Sequence, residues 1–311
     1  MNLVYKTTYD VVRVFLLNQR SHNTSVAYGR DISELLSIAQ EQNLEAIHKV
    51  HLLAFRHTIE RKYKTATVAR KLASVRSFFQ FCVNEGIIDT NPCIGIKGPR
   101  LPLEGKTLEF TDEEVRNLLA VCPVTTVKGV RDRTILEFLF HLGLRVSELT
   151  AIKAGDLQRD GDTPVLRVHG KGGKDRVIPL QPRLIRWAIR YVEKCPVFHF
   201  ESHLFRPVQN TFDGDLDKPL SARSVWVIVK QYAEKAGITK RVSPHSGRVT
   251  ATGNALDHNC GLIETSDLMG WSSVKMVQKY DRRRKKLIKS AAYSISYERE
   301  KRDGEQRDRT G

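Results

Sequence analysis

Two residues near position 145 could hold a phosphate group. Arg145 and Glu148 lie three residues apart, and on a helical turn this spacing places both side chains on one face. A guanidinium that a carboxylate holds in place can present its paired N–H groups to two phosphate oxygens. On its own, such a pair is more often a plain surface ion pair. The segment therefore points to phosphate chemistry only if other segments supply the remaining groups.

A glycine-rich turn supplies a second candidate. The sequence Gly170-Lys171-Gly172-Gly173 joins two strand-like runs, and so tight a turn can bring the Lys171 ammonium close to a bound backbone. A plain hairpin turn with solvated lysines is the competing interpretation. A nucleotide-binding phosphate loop is disfavoured, because no Gly-Lys-Ser or Gly-Lys-Thr sequence opens a helix here.

A third group lies at a predicted helix start. Ser243 followed by Pro244 is typical of an N-cap and a first helical position. His245 then falls in the first turn, and Arg248 lies one turn later on the same face. The N-terminus of a helix attracts anions, so this pair could bind a phosphate. A histidine that serves only packing is the alternative, and the presence of Arg248 makes the two interpretations equally good.

Trp271 and Tyr280, nine residues apart, form the last group. One continuous helix would place them on opposite faces, so we expect Ser272 or Ser273 to cap a new helix that carries Tyr280. Most tyrosines serve packing, but basic neighbours suit a phenol that works beside a phosphate; a basic, solvated helix end is the alternative. These neighbours are Lys279, Arg282, Arg283, Arg284, Lys285 and Lys286.

Composition narrows the range of partners. The 311 residues contain 51 Lys and Arg against 35 Asp and Glu, a net charge of +16. Nucleic acid is the commonest partner of so basic a chain, although a membrane surface or an acidic protein would also fit the charge. The sequence has no apolar run of about 18 residues and no secretory leader. We therefore expect a cytoplasmic, nucleoid-associated protein without a membrane partner.

Metal and disulfide chemistry are not expected. The five cysteines are spread along the chain without a C-x-x-C pair, which argues against a zinc ribbon or a disulfide framework and favours reduced thiols. No cluster of Asp and Glu has the spacing of a two-metal site. We expect a reaction that needs no metal and no other cofactor.

Helical periodicity in residues 1–92 predicts four helices that form one domain. They are expected at Thr7–Gln19, from Asn23 onward, at His51–Lys62 and from Thr65 to Gly86. Basic side chains on the last two helices could contact a DNA backbone or simply face solvent. These DNA-binding candidates are Lys62, Lys64, Arg70, Lys71 and Arg76.

A second domain is predicted to follow a linker. Residues 93–108 are rich in Pro and Gly without a clear period, which is typical of a linker. Residues 109–296 are expected to form a mixed α/β domain, and the polar residues 297–311 are predicted to be a disordered tail.

Only one small sheet is expected in this second domain. A capping box at Thr111–Glu114 predicts a helix start, and another helix is expected at about Asp132–His141. Val165–His169 and Arg176–Leu180 predict a short hairpin, and most of the remaining chain is helical in pattern. The predicted fold class is therefore mainly α with a small β-sheet.

In order and spacing, these groups resemble the tyrosine recombinase, or phage integrase, family, most closely its Xer-like bacterial members. The family's sequence motifs are matched at Gly143–Leu149, from Gly170 to Leu180, at Ser243–Arg248 and at Gly270–Tyr280. The likeness covers nearly the whole chain, because the first 92 residues are similar to the family's helical, SAM-like core-binding domain. Counting the Gly270–Ser273 segment and Tyr280 separately, these are five matches in the family's order, which makes an accidental likeness implausible.

The resemblance implies a site-specific recombinase that cuts and rejoins duplex DNA through a 3′-phosphotyrosine intermediate and a Holliday junction, without ATP or metal. Tyr280 would be the nucleophile. Arg145 and Arg248 would neutralise the charge on the non-bridging phosphate oxygens. Lys171 would act as the general acid toward the leaving 5′-oxygen.

The other site residues would support this chemistry. A phenol has an ordinary pKa of about 10, so its attack needs help, and His245 would assist proton transfer at the nucleophile. Glu148 would orient its neighbours, and Trp271 would hold the phosphate or support the nucleophile. Lys174 and Arg176 on the hairpin are further DNA-binding candidates.

The sequence departs from the family's usual pattern at two positions. Trp271 stands where most bacterial members have His, which puts in doubt only a proton-handling role at this position. Val249 stands where a His commonly follows the second catalytic arginine. That His does not belong to the family's catalytic set, so we expect little consequence.

The resemblance also implies an assembly. Apolar residues in Lys285–Ser296 have helical spacing, and in the family such a helix docks onto the next protomer of a cyclic tetramer. Packing against its own chain is the alternative.

Two other functions share some of these features. A type IB topoisomerase uses the same phosphotyrosine chemistry, but the two-domain layout and the Xer-like spacing weigh against it. A DNA-binding regulator with an inactive site fits poorly, because every expected chemical group is present.

Overall fold

The computed structural model describes residues 7–100, 107–170, 173, 175–195, 198–209 and 214–280. The chain divides into two compact units, Met1–Leu103 and Glu104–Gly311, each with its own hydrophobic core. None of the helices in the described ranges combines the length and the hydrophobicity that crossing a membrane requires.

The described part of the first unit contains four helices and one 3₁₀ turn. They are α1 (Thr8–Leu17), α2 (His22–Ala39), the 3₁₀ turn Leu44–Ala46, α3 (Lys49–Lys62) and α4 (Thr65–Asn84). The predicted helices are all present, with the predicted ends shifted by only one or two residues. One apolar face of α4, including Val75, Phe78 and Phe79, is fully buried against the other helices.

The first part of the predicted linker packs into the first unit. Cys93 and Ile96 are buried in the core of the first unit. The Asn91 side chain accepts a hydrogen bond from the Cys93 N–H at 2.9 Å, and Arg76 donates to the Ile96 carbonyl at 2.7 Å. Residues 101–106 of this linker lie outside the described residues, and so does the predicted tail, residues 297–311.

The second unit combines eight described helices with one antiparallel sheet. The helices are α5 (Asp112–Ala120), α6 (Val127–Leu142), α7 (Val146–Ala151), α8 (Pro182–Lys194), α9 (Ala222–Lys235), α10 (Pro244–Asp257), α11 (Leu262–Met269) and α12 (Val274–Tyr280). The strands are β1 (Leu157–Asp160), β2 (Thr163–His169) and β3 (Asp175–Pro179). The predicted fold class, mainly α with a small β-sheet, is confirmed.

The sheet has one strand more than the predicted hairpin. Its order is β1-β2-β3, with Leu157 opposite Leu166 in one pair and His169 opposite Asp175 in the other. Leu157 is the only residue of β1 that is even partly buried, so the sequence Leu-Gln-Arg-Asp lacks the alternation that marks a strand.

Helix α6 runs through the core of the second unit. Ile135, Leu136 and Phe138 are fully buried. The helix begins five residues before the predicted Asp132, because Thr126 caps it by accepting a hydrogen bond from the Gly129 N–H. Burial on all sides removes the one-sided pattern by which a helix is recognised in sequence.

A glycine ends α6 beside the motif that contains Arg145. Gly143 has a φ of 57°, and a Cβ at this position would lie 2.5 Å from the Met269 methyl group. Glycine is therefore required both by the backbone conformation and by the close packing of α11. The chain leaves the core here and enters the candidate site.

Candidate active site

The predicted pair of Arg145 and Glu148 is present at the start of α7. Arg145 is the N-cap residue, and its Nη1 lies 2.5 Å from Glu148 Oε1. Its backbone N–H donates to Glu148 Oε2 at 2.9 Å. The Arg145 side chain is 35% exposed, whereas that of Glu148 is only 3% exposed. A buried carboxylate therefore holds a guanidinium that faces outward.

A second guanidinium binds the same carboxylate. Arg176 of β3 donates to both Glu148 oxygens, at 3.2 and 3.0 Å, and from its Nε to the Leu268 carbonyl at 3.0 Å. Its side chain is only 12% exposed. These contacts leave Arg176 poorly placed for the direct DNA contact predicted from sequence, because they use the guanidinium inside the domain. Its place in the structure is that of a support for Glu148.

The alternation of β3 could have indicated this inward orientation. Ile178 and Leu180, two and four residues further on, are buried, and residues at this spacing share one face of a strand. Arg176 lies on that inner face.

Glu148 stays ionised between its two partners. Burial by itself raises the pKa of a carboxyl group, but the hydrogen bonds from Arg176 and from the Arg145 N–H outweigh it, and the pKa of Glu148 lies below its ordinary value. An ionised Glu148 can fix both guanidiniums at once.

Arg248 of α10 extends from the core of the second unit toward Arg145. It is 2% exposed, and its Nη1 donates to the Gly143 carbonyl at 2.6 Å while its Nη2 donates to the Met269 carbonyl. Arg145 Nη2 lies 3.4 Å from the next carbonyl, that of Gly270. Both predicted phosphate-binding arginines therefore converge on the turn that ends α11.

The charge of Arg248 is held under unfavourable conditions. Burial, and then repulsion from Arg145, lower the pKa of Arg248 to about 10. A desolvated cation that faces another cation would gain from an anion placed between them. This electrostatic arrangement suits a phosphate group.

Gly270 permits the close approach of these elements. Its φ is 57°, and a Cβ at this position would lie 2.7 Å from Arg176 Nη1. Any side chain here would displace the guanidinium that holds Glu148.

Trp271 and Tyr280 stack on each other. Their ring centroids lie 5.4 Å apart with an interplanar angle of 5°, and the Arg248 guanidinium lies 4.8 Å from the Trp271 ring. The Ser273 hydroxyl accepts a hydrogen bond from the Lys275 N–H at the start of α12. The predicted new helix after Trp271 is therefore confirmed.

The Tyr280 hydroxyl faces His245. Tyr280 Oη lies 3.4 Å from His245 Nε2, near the outer limit of a hydrogen bond. Partial burial, followed by repulsion from Arg248 and Arg145, lowers the pKa of His245. The neutral ring is favoured, and its Nε2 can accept the phenol proton.

The two hairpin lysines cannot be placed beside these groups. Lys171 and Lys174 lie outside the described residues, and the hairpin is described only up to Gly170, at residue 173 and from Asp175 onward. The structure thus gathers six of the predicted site residues and leaves the position of the general-acid candidate open: Arg145, Glu148, His245, Arg248, Trp271 and Tyr280.

The predicted DNA-binding residues of the first unit differ in accessibility. Lys71 is buried, and its ammonium lies 2.9 Å from Asp31 and 2.6 Å from Glu34, so the direct DNA contact predicted for it is not compatible with this conformation. The reason is its place on α4, three residues after the buried Val68. Lys64 is exposed.

The remaining three candidates are exposed but make contacts within the unit. Arg70 pairs with Asp31, Lys62 pairs with Glu34 at 3.3 Å, and Arg76 donates to a backbone carbonyl.

Metal ligands and disulfides are not part of the described site. Among the residues with described positions, no group of three or more His, Cys, Asp and Glu side chains is arranged to hold a metal ion. The five cysteines are free thiols.

Comparison with known proteins assigns the class. Residues 109–286 match the phage integrase family, and residues 13–86 match the phage integrase N-terminal SAM-like domain. The chain therefore belongs to the phage integrase family and is a tyrosine-type site-specific DNA recombinase.

Its similar relatives include Xer recombinases. The chain is 30% identical over 266 residues to tyrosine recombinase XerD of Staphylococcus haemolyticus, which covers 84% of this chain and 88% of that protein. It is 32% identical over 223 residues to tyrosine recombinase XerC of Chlamydia caviae, and the alignment covers 72% of this chain and 69% of that protein. The predicted Xer-like character is confirmed.

Solved structures share the fold. XerH site-specific recombinase bound to a palindromic difH substrate, in a post-cleavage complex, aligns with a TM-score of 0.70 and 16% identity over 94% of this chain and 85% of that one. A lambda integrase dimer bound to a COC′ core site aligns with a TM-score of 0.70 and 17% identity, over 90% of this chain and 78% of that one.

Proposed function

We propose that Tyr280 attacks the scissile phosphorus of duplex DNA and forms a 3′-phosphotyrosine. The P–O5′ bond breaks, its electron pair leaves with the 5′-oxygen, and a 5′-hydroxyl is released. A 5′-hydroxyl of the exchanged strand then reverses the step and restores the DNA backbone. The phosphoester bond energy is conserved in the covalent intermediate, so the cycle needs neither ATP nor metal.

The contacts of Tyr280 support its role as the nucleophile. Its hydroxyl lies 3.4 Å from the imidazole of His245, whose lowered pKa favours the neutral form. The neutral imidazole can take the proton as the phenol attacks. Stacking on Trp271 fixes the direction of the ring. This juxtaposition of phenol, imidazole and two convergent arginines is the observation that carries the proposal.

The arginines would bind the phosphate on either side of the reacting atom. Arg145 and Arg248 converge on the turn at Met269 and Gly270, and their N–H groups would stabilise the charge that grows on the non-bridging oxygens. Glu148 would act through Arg145 rather than on the DNA. Lys171 would donate the proton that the leaving 5′-oxygen requires.

Trapping the intermediate tests the nucleophile. The substrate is a nicked duplex from which the cleaved strand diffuses away, taken from DNA that flanks the protein's own gene. Wild type should form a denaturant-resistant protein–DNA adduct in the presence of EDTA and without ATP, and Tyr280→Phe should form none.

Tyr9→Phe is the matched control, because Tyr9 is exposed and lies in the first unit. It should trap DNA as wild type does. An adduct with Tyr280→Phe would show that another residue attacks. Specific binding of this DNA by wild type without any adduct would instead favour the regulator with an inactive site.

We also propose that the first unit contributes contacts to the DNA backbone. Lys62, Lys64, Arg70 and Arg76 are its exposed candidates, and Lys64 stands at the start of α4. Replacing Lys64 with Gln should weaken binding equally for specific and unspecific DNA and lower the salt dependence of the affinity by about one ion. An unchanged salt dependence would exclude Lys64 from the interface.

Assembly into a tetramer through Lys285–Ser296 is a further part of the proposal. A lambda integrase tetramer bound to a Holliday junction shares this fold, with a TM-score of 0.69. Deleting the chain from Lys285 onward should leave binding to a single site intact and abolish the complex of two paired sites in sedimentation analysis. Unaltered pairing would contradict the docking role.

A further inference from the structure

Asp31 is a buried carboxylate that binds an exposed guanidinium. It lies on α2, and its side chain is only 1% exposed. Arg70 of α4 donates to both of its oxygens, from Nη1 to Oδ2 and from Nη2 to Oδ1, the second contact at 3.0 Å. The Arg70 side chain is 43% exposed. A carboxylate that burial holds in place therefore fixes the orientation of a cation at the surface of the first unit.

The charge of Asp31 is already offset without Arg70. The Lys71 ammonium lies 2.9 Å from Asp31 and 2.6 Å from Glu34. The Lys62 ammonium lies 3.3 Å from Glu34. These two ammonium groups equal the two carboxylates in number, so Arg70 gives the described cluster an excess of positive charge. An anion at the surface would offset that excess.

The guanidinium of Arg70 has further donors for such an anion. An arginine side chain carries five N–H groups, and the pairing with Asp31 uses one on each terminal nitrogen. The groups on Nε and on the outer sides of the terminal nitrogens take no part in this pairing. Two neighbouring N–H groups of a guanidinium match the spacing of two phosphate oxygens. A phosphate is therefore a suitable second partner of Arg70.

The second unit orients Arg145 by the same arrangement. Buried Glu148 binds the outward-facing Arg145 and, from inside, the guanidinium of Arg176. In the first unit, buried Asp31 binds the outward-facing Arg70 and, from inside, an ammonium. Each carboxylate thus pairs with one inward and one outward cation. Because this arrangement is proposed to present Arg145 to the scissile phosphate, its counterpart in the first unit suits another phosphate of the DNA.

We propose that Asp31 is a positioning residue that presents the Arg70 guanidinium to a phosphate of the DNA backbone. This inference rests on the proposed contact between the first unit and DNA. A guanidinium that is already oriented loses less side-chain freedom on binding than one that must first be ordered. Asp31 would therefore strengthen the binding of DNA although it carries the same sign of charge as DNA.

The sign of one substitution tests this role. Removing a carboxylate near a DNA-binding surface ordinarily strengthens binding, because repulsion of the phosphates is lost. Asp31→Asn should instead weaken it about fivefold, since Arg70 is no longer held. Affinity of the full-length protein is measured by fluorescence anisotropy with a labelled duplex, both from the DNA that flanks its gene and of arbitrary sequence. Glu60→Gln is the matched control, because it removes the same charge from an exposed ion pair with Arg56 and should bind at least as tightly as wild type.

Substitutions of Arg70 connect this effect to the phosphate contact. Arg70→Gln should weaken binding about tenfold and lower the salt dependence of the affinity by about one ion. In the Arg70→Gln background, Asp31→Asn should cause no further loss of affinity. Arg70→Lys keeps the charge without the paired geometry, so it should lose about threefold in affinity with the salt dependence retained.

The results separate this inference from the function on which it rests. If Arg70→Gln lowers the salt dependence but folded Asp31→Asn binds at least as tightly as wild type, Asp31 does not position Arg70. If Arg70→Gln changes neither affinity nor salt dependence while Lys64→Gln lowers both, Arg70 does not contact phosphate. Either result overturns the inference and leaves the contact of the first unit with DNA in place.

Two further results complete the test. If neither Arg70→Gln nor Lys64→Gln changes the salt dependence, the proposed contact of the first unit with DNA is itself wrong, and the inference about Asp31 is overturned with it. Folding of Asp31→Asn is checked by circular dichroism, and if this variant does not fold, Arg70→Lys decides. Wild-type affinity of Arg70→Lys would show that the charge suffices without the orientation, and the positioning role would be wrong.

Discussion

The two units each bury a cation, and the surroundings shift the pKa values of these two cations in opposite directions. In the first unit, the Lys71 ammonium faces the two carboxylates of Asp31 and Glu34. Burial alone lowers the pKa of an ammonium, but the hydrogen bonds to Glu34 and Asp31 outweigh it, and the pKa of Lys71 lies above its ordinary value. In the second unit, burial and the charge of Arg145 lower the pKa of Arg248 to about 10.

The difference agrees with the roles proposed for the two cations, a structural one for Lys71 and phosphate binding for Arg248. Lys71 has its counter-ions within the fold. Arg248 donates to two carbonyls and shares its surroundings with Arg145 and Arg176, and among the residues that the structure describes the carboxylate that offsets their charge is that of Glu148. Such an excess of positive charge favours a negatively charged ligand.

Removing Arg248 should give the largest effect. Arg248→Ala is expected to lower single-turnover strand cleavage about 10²–10³-fold, because one of two donors to the phosphate oxygens is lost. Affinity for the DNA should change far less, since Arg248 would be one of many cations that contact the phosphates. If cleavage at saturating protein falls less than tenfold, or if the loss lies in affinity, the contrast drawn between the two cations is wrong.

Removing Lys71 should do the reverse. Lys71→Ala leaves buried Asp31 with fewer partners and should lower the free energy of unfolding by about 3 kcal/mol, measured by urea denaturation. Cleavage by the folded protein should keep its wild-type rate. Lys62→Ala is the control, because Lys62 contacts the same Glu34 from an exposed position and should have a much smaller effect. If Lys71→Ala is as stable as wild type but cleaves DNA more slowly, the ion pairs of Lys71 with Asp31 and Glu34 serve DNA cleavage rather than stability.

Much of both regions could be predicted from sequence where the pattern is local. The N-cap and Pro start of α10 and the capping box at Thr111 depend on residues within one turn, and both are present in the structure. The grouping of Arg145, His245, Arg248 and Tyr280 followed from the family's ordered motifs, because no local rule brings together residues more than a hundred positions apart.

Side chains whose contacts lie on distant elements are harder to predict from sequence. Charge alone predicts that Lys71 and Arg176 contact DNA, whereas in the structure both side chains point inward to carboxylates on other elements. Their periodicity carried the signal, since each lies on the buried face of its helix or strand. β1 could not have been predicted this way, because its pairing with β2 rather than its own pattern makes it a strand.

A smaller effect is expected from the support of Glu148. Arg176→Gln removes the paired contact with this carboxylate and leaves Arg145 less firmly oriented. Cleavage should fall about tenfold, because a misplaced donor loses part of its effect. The salt dependence of DNA binding should stay unchanged if Arg176 does not touch phosphate; a slope reduced by about one ion would restore the direct contact predicted from sequence.

The smallest and most specific effect concerns the protonation of His245. Burial, and then the charges of Arg248 and Arg145, disfavour its charged form, so in Tyr280→Phe the ring should titrate below the ordinary histidine value of about 6.5, as followed by NMR of its ring protons. Arg145→Gln should raise this midpoint toward the ordinary value. Bound DNA should raise it as well, because a phosphate between the arginines offsets their charge. In free protein, the neutral ring therefore persists as the pH falls below 6.5, and His245 remains able to accept the Tyr280 proton there. A titration midpoint at or above 6.5 that Arg145→Gln leaves unchanged would show that the two arginines do not lower the pKa of His245. Their positive charge would then have no effect on the residue that faces the Tyr280 hydroxyl.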